Sequence, residues 1–118
     1  MLDFDRLREI NAARCEESYH AIDEWSPTDW GCALGGECGE ALNLIKKLRR
    51  LTGCTKDCTV DLIQSYDAKE LISNIGRELA DIVIYADLLA QCLGLNLGDC
   101  VVEKFNETSK KIMSDKRL

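Results

Sequence analysis

The chain has 118 residues, enough for one hydrophobic core, and its 46% hydrophobic content with a single proline fits a compact helical domain. A formal net charge of −6 disfavours a nucleic-acid polymer as the natural partner, because phosphate-backbone binders need a basic footprint. A nucleotide stays open as a ligand, since a divalent metal can carry its phosphates.

The N-terminal stretch MLDFDRLREINAARCEESY mixes charges with no long apolar run and reads as neither a signal peptide nor a membrane span. Leu2, Phe4, Leu7 and Ile10, then Ala13 and Tyr19, recur at helical spacing and predict a first helix over about residues 3–23. His20, the single histidine, reads as a part-exposed helical residue, with a nucleotide contact as its functional alternative.

Ser26 as N-cap, Pro27 at the first helical position and Asp29 as a capping-box acid predict a second helix from about Pro27 to Leu51. Its apolar stripe is Trp30, Ala33, Leu34, Cys38, Ala41, Leu44, Ile45 and Leu48, and Glu37 falls inside that stripe. A charge on a core-facing stripe must be paired, neutralised or bound to a cation. Glu40 lies three residues on, on a neighbouring point of the same face. Gly35, Gly36 and Gly39 each cost up to about 1 kcal/mol of helix propensity against alanine, which suggests close approach of a helix or a ligand. Trp25 offers a flat face for stacking on a nucleobase, and Trp30 suits either the core or a pocket. Lys46, Lys47, Arg49 and Arg50 meet the negative end of the helix dipole, and Lys47 or Lys46 is the candidate for attracting a triphosphate. Gly53 supplies a stop.

LTGCTKDCTVDLIQSYD, residues 51–67, is the least patterned stretch and is expected to be a lid-like loop with a short turn. Cys54 and Cys58 have no neighbouring ligand to complete a zinc set. Seven cysteines without a secretory signal fit reduced thiols and a cytoplasmic protein. Asp67 with Glu70 predicts the cap of a third helix, which runs to Cys92 or Leu93 and stops at Gly94. From Leu79 to Leu93 this helix is apolar on nearly every side and is expected to be central, yet Glu78 opens that run and Asp81 sits within it. Tyr85, one turn after Asp81, suits the phosphate region or the core, whereas Asp87 points away and is a candidate for a subunit contact. Asn96 and Asp99 predict the cap of a fourth helix over about residues 97–113, with Val101, Val102, Phe105 and Ile112 toward the core and a frayed tail.

Either acid pair alone reads as a solvated helix face. Both in apolar surroundings can converge on one point, and converging carboxylates repel one another unless a hard cation such as Mg²⁺, with Mn²⁺ as a substitute, sits among them.

Glu37-x-Gly39-Glu40 followed by Glu78-Leu79-Ala80-Asp81 resembles the ExxE and ExxD signature of the MazG-like, all-α nucleoside triphosphate pyrophosphohydrolases. Trp25-Ser26-Pro27, Trp30, Asn43 with Ile45-Lys46-Lys47, Tyr85 and Glu103-Lys104-Phe105-Asn106 extend the similarity to Ser109. The resemblance implies an oligomeric four-helix bundle, a homodimer or homotetramer, that cleaves between the α and β phosphates with Mg²⁺. It implies metal ligation by Glu37, Glu40, Glu78 and Asp81, with Glu40, Glu78 and Asp81 preferred and Glu37 a further ligand or the catalytic group that holds water. Trp25, Lys47, Tyr85, Lys104 and Asn106 are its substrate contacts. Where dCTP-type relatives carry a histidine and an asparagine around the proline, this chain has Ser26 and Asp29, so base and sugar stay open. A non-catalytic metal or nucleotide-binding helical bundle is the alternative. A di-iron site wants Glu-x-x-His, which neither pair supplies.

Overall fold

The computed structural model describes residues 1–52 and 66–118, and their regular structure is entirely helical. Helix α1 spans Phe4–Ser18, a 3₁₀ turn Ile22–Glu24, α2 Pro27–Thr52, α3 Tyr66–Cys92 and α4 Leu97–Lys111. The all-α expectation therefore holds, with no strand among the described residues. Gly53, Cys54, Cys58 and most of the loop predicted over 51–67 lie outside them. Among the described residues no helix is long and apolar enough to cross a membrane.

Local chemistry sets most helix ends. Ser26 and Asp29 form the predicted capping box: the Ser26 amide donates to Asp29 Oδ2 at 2.9 Å, and the Asp29 amide donates to Ser26 Oγ at 3.2 Å. Asn96 caps α4 by accepting from the Asp99 amide at 3.2 Å. Asp67 is not the cap of α3. That helix already includes Tyr66, so Asp67 lies in its first turn, where a negative charge meets the positive end of the helix dipole. At the other end Gly94 takes φ 71°, its amide donating to the Gln91 carbonyl and the Leu95 amide to that of Ala90, a Schellman closure. The end of α4 repeats this closure with Met113 in the left-handed position, at φ 55°. An exposed methionine is strained in a conformation that glycine adopts freely, so Met113→Gly is expected to raise stability by about 1 kcal/mol in urea denaturation.

The residues fall into two compact units. The first comprises Met1–Trp30 and Ile84–Leu118. Its core is Cys15, Trp30 and Leu88, with Ile22, Trp25, Tyr85, Leu89 and Cys92 packed against it. Helix α1 ends earlier than predicted because the amides of Tyr19 and His20 both turn back to the Cys15 carbonyl. His20 is consequently non-helical, its ring 4.7 Å from that of Trp25. Trp30 belongs to the core, donating its indole N–H to the Ile22 carbonyl at 3.0 Å.

The inward face of α1 also differs from the predicted one. Leu2, Ile10 and Tyr19 are exposed, and the buried residues are Asn11 and Cys15. Asn11 Nδ2 donates to the Ile84 carbonyl at 3.0 Å and to Asp87 Oδ2 at 2.9 Å. Gln91 Nε2 reaches that same carboxylate oxygen at 2.8 Å and the Arg8 carbonyl at 3.0 Å. Asp87, 1% exposed, is thus satisfied within the chain and not at a subunit contact. Gly98 permits the approach of α1 to α4, since a Cβ there would meet Phe4 Cβ at 2.8 Å. Val101, Val102, Phe105 and Ile112 are exposed instead of entering the core. The tail is not frayed: Asn106 accepts from the Leu118 amide at 3.0 Å and donates to its carbonyl at 3.3 Å.

The second unit is Gly31–Val83. Ala41 and Ala68 are buried, Leu34, Cys38, Leu44 and Leu48 half-buried, and Ile45 exposed. Leu79 is 51% exposed, so α3 in this unit has one inward and one outward face, contrary to the expectation of a helix buried all round. The outward side of α2 carries Gly35, Gly36 and Gly39, where an added Cβ would meet nothing within 4 Å. No helix of the described residues approaches there.

Candidate metal centre

Helical spacing puts Glu37 and Glu40 on one side of α2, and Glu78 and Asp81 on one side of α3. Glu37, Glu78 and Asp81 are half-buried, and all three belong to the second unit. Each offers one carboxylate oxygen to a group in which all the oxygens lie within 4.8 Å of one another. Glu40 is exposed and stands outside that group, although its carboxyl is near enough to Glu78 to favour a shared proton there. The two pairs do converge, but three of the four acids form the tight cluster.

The electrostatics record this crowding. Loss of solvent around Glu37, then the charges of Glu40 and Asp81, push its carboxyl above the ordinary 4.5. Glu78 is raised likewise, first by desolvation, then by its hydrogen bond to Glu40 and by the charges of Glu40, Glu37 and Asp81. Two exposed acids move the other way: Ser26 donates to Asp29, and Lys111 and Lys104 hold Glu107, lowering both.

These shifts give opposite pH dependences. Glu37 and Glu78 titrate higher in the native state, so as pH rises from 4.5 the unfolded chain releases its protons first and these two groups destabilise the fold progressively. Asp29 and Glu107 contribute stability present above their unfolded values of 3.8 and 4.5 and lost as pH falls through the lower native ones. Comparison with Glu78→Gln isolates the cluster. Without metal the variant is expected to gain on the wild type as pH rises from 4.5, and divalent cation should close the gap; urea midpoints across that range measure both.

Lys47 follows Glu40 by two turns along α2, about 10 Å, and is exposed. Among the described residues no ion pair engages it. The remaining predicted substrate residues belong to the first unit. Trp25 packs against His20 and Trp30, and Tyr85 lies 6.3 Å from the Trp30 ring, so both contribute to packing there. Lys104 pairs with Glu107 at 3.1 Å, and Asn106 is engaged by Leu118.

No family model, curated protein or solved structure matches the chain.

Proposed function

We propose that the protein is a Mg²⁺-dependent nucleoside triphosphate pyrophosphohydrolase of the MazG-like type, releasing a monophosphate and pyrophosphate in nucleotide-pool housekeeping. The observation that carries this reading is the approach of Glu37, Glu78 and Asp81 to within 4.8 Å. The donor set fits: three carboxylates offer the hard oxygen ligands that Mg²⁺ would take. When bound, Mg²⁺ neutralises phosphate charge and makes water a better nucleophile at neutral pH. Glu37, Glu78 and Asp81 would hold it, and occupancy would offset the repulsion that adds to desolvation in raising Glu37 and Glu78.

Glu40 is the carboxylate left over, exposed and beside Glu78, and it would orient the attacking water and take its proton. This exchanges the roles that the resemblance suggested for Glu37 and Glu40. Lys47 would draw the phosphates. Trp25, Tyr85, Lys104 and Asn106 rest on the resemblance alone as substrate contacts, and a nucleotide reaching Lys104 or Asn106 would displace Glu107 or Leu118.

We also read the chain as an oligomeric four-helix bundle in the cytoplasm, a homodimer or homotetramer. The exposed Val101, Val102 and Phe105 on α4 and Leu79 and Val83 on α3 support an assembly that covers them. Light scattering should give a mass above that of one chain.

A panel of nucleoside triphosphates, ribo and deoxy, with Mg²⁺ tests the activity. Monophosphate and pyrophosphate should appear together and vanish with EDTA. Diphosphate with orthophosphate would reject the assigned bond, and Mg²⁺-dependent binding without turnover would favour the non-catalytic bundle.

A further inference from the structure

We draw no further inference here: the strongest candidate, the outward face of α4 bearing Val101, Val102 and Phe105, is an unpartnered apolar surface and nothing in the structure shows what covers it.

Discussion

Asp81→Asn is expected to weaken Mg²⁺ binding by about 100-fold or more, since even outer-sphere partners of a metal site are worth about 10 to 100-fold. Turnover at limiting Mg²⁺ should fall by a similar factor and recover in part at high Mg²⁺. The physical reason is the closeness of three half-buried carboxylates: removing one charge removes attraction for a cation placed among them. Glu40→Gln should behave differently. Glu40 stands outside the tight group, so its neutral isostere should keep Mg²⁺-nucleotide affinity and lose about 10²- to 10⁴-fold in kcat, the usual worth of a general base. Glu37→Gln is expected to follow Asp81→Asn. If Glu37→Gln instead keeps metal affinity and loses kcat, Glu37 holds the water and Glu40 the metal. Calorimetric Mg²⁺-nucleotide binding beside turnover separates the cases, and wild-type turnover at limiting Mg²⁺ in folded Glu37→Gln and Asp81→Asn would sink the carboxylate-metal mechanism.

Asn11→Leu is expected to destabilise the protein by about 2–4 kcal/mol, although it places an apolar residue on a buried helix face. Asn11 supplies one of two amides that reach the same oxygen of the buried Asp87 and also satisfies the Ile84 carbonyl. Without it, a carboxylate that is 1% exposed keeps Gln91 as its partner, and the desolvation of its charge is poorly offset. Replacing both residues, Asn11→Leu with Asp87→Leu, should recover much of the loss, because an apolar pair leaves no charge stranded. Urea denaturation of the single and double variants measures the coupling, and additive effects would show that the Asn11–Asp87 contact contributes nothing of its own.

Several features were legible in the chain because the interactions that make them span only a few residues. Ser26 with Asp29, Asn96 with Asp99 and Gly94 after Cys92 each satisfy helix-end groups within one or two turns, so residue type and spacing announce them. The acid pairs were legible for the same reason, since three residues on a helix define a shared face wherever the helix lies. Non-local choices were not. The face that α1 buries follows Asn11, whose partner Asp87 lies 76 residues away, and the apolar period through Ile10, Ala13 and Tyr19 pointed elsewhere. The apolar stripe of α2 puts Glu37 inward, but the resemblance prefers Glu40 as a metal ligand and leaves Glu37 as a further ligand or the group that holds water. Only the tertiary structure groups Glu37 with Glu78 and Asp81, which lie about forty residues further along the chain, and leaves Glu40 exposed beside Glu78, because a contact between two helices depends on how both pack and not on spacing within either.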